Sequence, residues 1–299
     1  MSAQPLLRYH VPTRDGEVTA YRAFDSVSAE PRLIYVNGIM TQGEGHALDA
    51  MEISRVSERV VLGVFNATAS VRLGQAGGMV GDLFQCGIDW VQIFLSKVTE
   101  YGALGVGRAT AAVRDWFQSR LGLRRGNFDP DAGAEEAARR IPLESERIAL
   151  MENWLRHNPA SRSLFNLLRR GLRERQWIVA HSQGNLITSN ALWGIVFVYG
   201  QHALRNMEVF SLASPSPAWP RGLHFRRKVY GYENDLVTLF DPHNWPGWAR
   251  ATGGVIGRSA GNWQRQGRVP SLRPHGLDNH MASTLFKKRL RERLGLPPE

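Results

Sequence analysis

Apolar residues in this chain form short runs rich in β-branched residues, separated by segments with helical spacing. The first run, 31–40, contains Asn-Gly after its apolar core, which predicts a strand followed by a tight turn. Residues 44–59 then repeat apolar positions at helical intervals, and 60–68 is a second strand-like run. Strand, helix and strand in this order predict a βαβ unit, the building block of a parallel sheet.

The second half of the chain continues this alternation and ends in a helix with one apolar side and one basic side. Strands alternating with helices predict an α/β fold, in which helices flank a mostly parallel central sheet. The pattern favours a single domain over residues 1–299. Strands are predicted at 177–180, 207–214 and 227–235, and helices at 185–200 and 279–294.

A long segment, 69–172, separates the second and third predicted strands. It contains an apolar, aromatic-rich stretch at 81–98 and two amphipathic helical patterns at 143–158 and 161–175. A crossover between parallel strands needs only one helix. We therefore predict that 69–172 is a helical insertion or cap within the domain.

The segment QWIVAHSQGN, 176–185, is an apolar strand pattern that stops at a histidine and a serine. Ala180 and Gly184 hold the two small positions around Ser182, as in the G-x-S-x-G turn of a nucleophile between a strand and a helix. Small neighbours let the strand and helix approach closely, and the helix N-terminus supplies backbone N–H groups for an oxyanion. The pattern predicts Ser182 as a nucleophile; the alternative is a serine that merely caps the helix.

An acyl-transfer site also needs a second oxyanion donor from the first strand end. The candidate is the backbone N–H of Ile39, just past Asn37-Gly38, paired with the backbone N–H of Gln183. The alternative interpretation of this turn is a plain loop between strand and helix.

A serine nucleophile needs a base and an acid that orients it, here expected in the chain order serine, acid, histidine. Asp235 follows the strand predicted around 227–235 and is the expected acid. Its alternatives are Glu233, still on the strand, and Asp241, which precedes Pro242.

Two histidines follow this acid, His275 and His280. His275 is predicted in the loop before the final helix and His280 in its first turn, where the helix dipole disfavours the imidazolium that forms in catalysis. His275 is therefore the expected base and His280 the alternative, while His181 is expected to support the nucleophile indirectly. The other histidines are predicted to be surface or structural: His10, His46, His157, His202, His224 and His243.

The motifs YVNGIM, VAHSQGN, NDLVT and HGLDNH, spread over residues 31–68 and 176–285, resemble the lipase and esterase branch of the α/β-hydrolase family. The resemblance implies a serine hydrolase that forms and hydrolyses an acyl-enzyme, with no metal and no organic cofactor. Ser182 would attack, His275 would act as base and then acid, and Asp235 would orient it. Ala180, Asn37 and the long 69–172 segment depart from the family pattern.

Helical caps of lipases in this family bind acyl chains, and the 81–98 stretch has suitable apolar content. The expected activity is therefore that of a lipase or phospholipase-like carboxylester hydrolase. Alternatives are a small-ester esterase, thioesterase or amidase, or a non-catalytic scaffold that binds an anionic partner.

The net charge of +10, carried mostly by arginine, favours peripheral contact with an anionic membrane surface. No helix-turn-helix, zinc-ligand spacing or aromatic RNA-binding motif predicts a nucleic-acid partner. The basic end KKRLRERL is instead expected to be the solvated face of the last helix.

A single cysteine, Cys86, excludes an intrachain disulfide, and the first residues lack the apolar core of a signal peptide. No apolar run is long enough to span a bilayer; the closest is 191–200. The expectation is a cytoplasmic protein, with export by a route that needs no cleaved signal as the alternative.

Overall fold

A computed structural model gives the fold of this chain. The described residues include most of each predicted strand and most of the predicted helices outside the long central segment. They are 9–23, 28–38, 41–67, 141, 143–216, 219–223, 226–232, 235, 238, 261–264, 276–282 and 284–297.

A single mixed sheet forms the centre of the described part of the chain. Its strands are β1 Val18–Tyr21, β2 Ser28–Val36, β3 Arg59–Val64, β4 Gln176–His181, β5 Met207–Leu212, β6 Arg227–Tyr232 and β7 Gly261–Gln264. Their order in the seven-stranded sheet is β1-β3-β2-β4-β5-β6-β7. The edge strand β1 pairs antiparallel with β3, and the six strands from β2 to β7 run parallel. The prediction of a mostly parallel sheet is confirmed.

The register brings the carboxyl ends of the central strands to one edge of the sheet. Val36 of β2 pairs with Ala180 of β4, and His181 of β4 pairs with Leu212 of β5. β4 is buried at every position, as expected for a strand with neighbours on both sides and helices on both faces. Ser182, the residue after β4, therefore lies at the edge where ligands bind in open α/β sheets.

Helices cover both faces of the sheet, so the predicted α/β architecture is confirmed. Successive strand residues point to opposite faces, which splits the buried side chains into two clusters. The cluster of Ile34 and Ile178 packs under the second, third and fourth helices, and that of Leu33 and Val179 packs under the first and last. The helices are α1 Gly43–Ser57, α2 Glu144–Trp154, α3 Pro159–Arg170, α4 Gly184–Tyr199, α5 Leu277–Ala282 and α6 Thr284–Leu294.

The second amphipathic pattern of the central segment predicted a helix at 161–175. The observed helix α3, Pro159–Arg170, begins and ends earlier. Asn158 caps α3 by accepting the Ser161 backbone N–H at 2.9 Å, and Pro159 takes the first helical position that suits proline. The helix ends before Gly171, whose N–H donates to the Leu168 carbonyl.

Helices α2 and α3 belong to the layer that covers the sheet. Met151 of α2 and Leu164 of α3 are fully buried in the same cluster as Ile195 of α4. The part of the predicted insertion at 144–170 therefore builds the main core. Residues 68–140, including the apolar stretch 81–98, lie outside the described residues, so the proposed cap stays a prediction.

The chain end differs from the prediction of one helix over 279–294. Two helices occupy this region, α5 and α6, and residue 283 between them lies outside the described residues. His280 lies in the last turn of α5, whereas it was expected in the first turn of a long helix.

Part of the basic face of α6 is less solvated than expected, because two of its cations contact α1 or Glu58 at its end. Arg291 donates from Nη1 to the Val56 carbonyl at 2.9 Å and from Nη2 to Glu58 at 3.0 Å, with 8% of its side chain exposed. Lys287 lies 3.7 Å from Glu52. Arg291 thus stabilises the carboxyl end of α1, where unpaired carbonyls favour cations.

None of the described helices is long and apolar enough to cross a membrane.

Candidate functional site

Ser182 occupies a strained turn between β4 and α4. Its φ is +53°, in the left-handed region that non-glycine residues rarely adopt, and its side chain is buried. The Ser182 backbone N–H continues the pairing with β5 by donating to the Leu212 carbonyl at 3.0 Å. A buried serine held in this conformation, directly before a helix, has the backbone geometry expected of a nucleophile turn.

Two glycines permit this turn because other atoms of the chain lie where a side chain would begin. A Cβ on Gly184 would lie 2.3 Å from the carbonyl oxygen of Val36, so only glycine lets α4 begin this close to the end of β2. A Cβ on Gly38 would lie 2.6 Å from the Cβ of Ser182 and 3.2 Å from its Oγ. The Asn37-Gly38 turn therefore contacts the serine side chain directly.

Asn185, in the first turn of α4, ties the serine turn to its neighbours. Its Nδ2 lies 3.1 Å from the Ala180 carbonyl, 3.1 Å from the Ser182 carbonyl and 2.9 Å from the Leu212 carbonyl. Its Oδ1 accepts the Ser211 hydroxyl at 2.5 Å. This fully buried amide satisfies carbonyls on both sides of the turn and fixes Ser182 relative to β5.

A second polar network links the residues after β2, β3 and β4. Asn37 Oδ1 accepts the Asn66 backbone N–H at 2.8 Å, and Asn37 Nδ2 donates to the carbonyls of Gly38 and Asn66, each at 2.9 Å. Asn66 Nδ2 then donates to Gln183 Oε1 at 2.8 Å. The residue after the serine is thereby connected to the turn that contacts the serine.

His46 of α1 completes this network by donating from Nδ1 to Asn37 Oδ1 at 2.9 Å. An amide oxygen can only accept, and burial lowers the pKa of His46 to about 3, so the imidazole is neutral with its proton on Nδ1. His46 was predicted to be surface or structural, and it is structural. The rings of Tyr21, Tyr35 and Phe65 surround it at centroid distances of 5.7, 5.2 and 5.4 Å.

A half-buried carboxyl, that of Asp49, lies beside this aromatic cluster. Tyr35 donates its hydroxyl to Asp49 Oδ2 at 2.8 Å. Burial raises the pKa of Asp49 to about 6, against the opposing effect of that hydrogen bond and with a smaller contribution from Asp278.

Asp235, the expected acid, is fully buried where the chain turns past β6. Its backbone N–H donates to the Tyr232 carbonyl at 3.2 Å, and its carbonyl accepts the Thr238 hydroxyl at 2.8 Å. The alternatives Glu233 and Asp241 lie outside the described residues.

His280, the alternative base, is also buried and lies beside the serine turn. Its ring centroid is 6.0 Å from that of His181, the residue before Ser182, and 5.1 Å from that of Tyr232. Tyr232 also donates its hydroxyl to the Asn279 carbonyl at 3.0 Å, which attaches α5 to the end of β6.

A chain of contacts therefore connects three predicted site residues. Ser182 follows His181, His181 contacts His280, and His280 contacts Tyr232, whose backbone binds that of Asp235. His275 and Ile39 lie outside the described residues, so their assignments stay predictions. Gln183 is described, at the start of α4.

The position of His280 in the structure removes the objection to it as base. His280 was expected in the first turn of a long helix, but it lies in the last turn of the short α5. The dipole at that end favours a cation, although a helix of this length has only a weak dipole.

Sequence reasoning missed Asn66, Asn185 and the contact of His46 with Asn37. One signal was present: β2 and β3 are both followed by asparagine, at Asn37 directly and at Asn66 after Phe65. A polar amide after an apolar run is a candidate for bonding neighbouring strand ends. The partners themselves lie up to 117 positions apart in the sequence.

Within the described part of the chain, no cluster of three or more histidine, cysteine, aspartate or glutamate side chains could hold a metal ion. The arrangement at the carboxyl edge consists of a strained serine, a buried histidine and a buried carboxyl. Comparisons with protein-family models, with curated proteins and with solved structures find no match for this chain.

Proposed function

We propose that this chain is a serine hydrolase with an α/β-hydrolase fold that cleaves carboxylic esters through an acyl-enzyme. The observation that carries the proposal is the left-handed conformation of Ser182 at +53° between a buried parallel strand and a helix. A serine that merely capped α4 would use extended backbone and need no strain. Strain at a buried serine, in close contact with a second strand-end turn, is typical of a functional site.

In this proposal Ser182 Oγ attacks the ester carbonyl carbon while a histidine takes its proton. The tetrahedral intermediate collapses, and the same histidine protonates the departing alcohol. Water then attacks the acyl-enzyme by the reverse proton transfers and releases the carboxylic acid. Asp235 orients the histidine, and the backbone N–H groups of Gln183 and Ile39 stabilise the oxyanion.

We assign the base to His280, with His275 as the alternative. The contacts of His280 with His181 and Tyr232 support this choice, because they lie next to the serine and next to the turn that carries Asp235. His280 is also almost completely buried, as expected for a histidine whose proton transfers are shielded from water.

For the substrate we propose a lipid ester, on the strength of the apolar stretch 81–98 in the sequence. The competing candidate is a small ester, thioester or amide. The net charge of +10 is compatible with an anionic lipid surface as the site of action.

Both the serine mechanism and the lipid substrate can be tested by hydrolysis assays. The substrates are p-nitrophenyl esters with short and long acyl chains, and phospholipid vesicles. Wild type is compared with Ser182→Ala and Asp235→Asn, and with Asn206→Ala as a control at the opposite end of the sheet. Hydrolysis that survives in Ser182→Ala would contradict the mechanism. Equal rates on short and long chains, with no activity on vesicles, would contradict the lipid substrate alone.

A further inference from the structure

The network of His46, Asn37, Asn66 and Gln183 reaches both sides of the proposed oxyanion site. Asn37 holds the turn that contacts Ser182, and Gln183 directly follows Ser182. We propose that this network is a positioning device that holds the turn after β2 and the Gln183 oxyanion donor relative to the serine, with Asn37 and Asn66 as positioning residues. The inference rests on the proposed serine hydrolase activity.

The first link acts on the turn after β2. Asn37 Nδ2 donates to the Gly38 carbonyl at 2.9 Å. This bond holds the Gly38 carbonyl, and with it the turn that contacts the Ser182 side chain.

The orientation of Asn37 is itself determined by its surroundings. Its Oδ1 accepts the backbone N–H of Asn66 and the Nδ1 proton of His46, while its Nδ2 meets only carbonyl oxygens, those of Gly38 and Asn66. A flipped amide would place acceptors against acceptors and donors against donors. All these bonds are buried, so reversing the amide would leave several polar groups unsatisfied.

His46 in turn has little freedom to move. Three aromatic rings surround it, and a Cβ on Gly63 would lie 2.4 Å from its Nε2. Glycine at position 63 of β3 thus leaves the room that the imidazole occupies. The buried, neutral imidazole provides a fixed hydrogen-bond donor to Asn37.

The second link acts on the residue after the nucleophile. Asn66 Nδ2 donates to Gln183 Oε1 at 2.8 Å, across 117 positions of sequence. This bond joins the end of β3 to the start of α4, on the side of the serine where the Gln183 N–H is the proposed donor. Removing the Asn66 side chain leaves both backbone bonds of Asn66 to Asn37 in place, so it breaks this link alone.

The test is a double-mutant cycle with Asn66→Ala, Gln183→Ala and the double variant. Each single variant should lower kcat for ester hydrolysis about tenfold and leave KM within about twofold, because oxyanion donors act mainly in the transition state. The double variant should be no slower than either single variant, since all three lack the same bond. Inhibition by an alkyl boronic acid, which mimics the tetrahedral species, should weaken in proportion to kcat.

Asn206→Ala is the matched control, because Asn206 Nδ2 makes one 3.0 Å bond to the Leu172 carbonyl at the amino end of β5, about 20 Å from the site. It should keep wild-type kcat. The positioning role would be overturned if Asn66→Ala kept the kcat of the wild type, or if the losses in the double variant were strictly additive. The proposed function would still stand in either case, provided that the wild-type protein hydrolyses esters. Absence of Ser182-dependent hydrolysis in wild type would overturn both.

Asn37→Asp, which removes the donor to Gly38, should also lower kcat if it folds.

Discussion

Gly38 and Ser182 lie so close that a methyl group on Gly38 would be 2.6 Å from the Cβ of the serine. This contact joins the turn after β2 to the turn after β4, although the two are separated by most of the first half of the chain. It leaves no room for a side chain at position 38 beside the Ser182 hydroxyl.

Replacing Gly38 by alanine should therefore disturb the site more than the fold. The added methyl group must displace Ser182 or the turn, and we expect kcat/KM to fall about 100-fold or more. Gly45→Ala is the control, because its Cβ would meet only Thr41 Cγ2 at an ordinary 3.6 Å. Ester hydrolysis and circular dichroism of both variants check this, and wild-type kinetics in Gly38→Ala would refute the close packing.

Asn185→Ala should destabilise the protein by about 2–4 kcal/mol, because it leaves buried carbonyls and the Ser211 hydroxyl without their partner. Asn206→Ala is the comparison, because it loses a single half-buried bond at the opposite end of the sheet and should cost about 1 kcal/mol. Urea denaturation of the two variants measures the difference. Similar midpoints would mean that Asn185 does not hold the serine turn.

The pH dependence of stability should carry a contribution from His46. Its pKa of about 3 in the folded protein lies below the ordinary value of about 6.5, so the unfolded chain binds more protons between these values. Stability therefore decreases as the pH falls through this window, by about 2 kcal/mol between pH 7 and pH 5 from this group.

Asp49 acts in the opposite direction, because its folded pKa of about 6 is raised and its protonation favours the folded state. The measurement compares how steeply the free energy of unfolding falls between pH 7 and pH 5 in the two proteins. His46→Asn should lack the part of this fall that His46 causes in the wild type. Parallel pH profiles of unfolding free energy for the two proteins would show that His46 is not buried in its neutral form.

The two candidate bases give different pH–rate profiles. His280→Ala should lower kcat by at least about 1,000-fold and abolish the ionisation that limits activity at acid pH. His275→Ala should keep both the rate and the profile within a few-fold of wild type. The reverse result would assign the base to His275 and remove His280 from the mechanism.

The sequence predicted the strands and helix around Ser182 closely, because their signals are local. The apolar run before Ser182 and the helical pattern after Gly184 give β4 and α4 to within a residue or two. Burial on both faces makes such runs continuous, and the small residues mark the turn.

The polar contacts at the site could not be predicted in the same way. His46 binds Asn37 and Asn66 binds Gln183 only because the parallel register brings the ends of β2, β3 and β4 together. Hydrophobic periodicity does not reveal which side chains meet across strands. The break between α5 and α6 was missed for a related reason: the pattern over 279–294 is continuous, and nothing in it marks where one helix ends.

Covalent labelling with a fluorophosphonate, followed by peptide mapping, tests the central claim most directly. We predict one adduct per chain, on the peptide that carries Ser182, and no adduct in Ser182→Ala. Prior incubation with an ester substrate should slow the labelling. An unlabelled wild type, or an adduct that persists in Ser182→Ala, would contradict the assignment of Ser182 as an activated nucleophile.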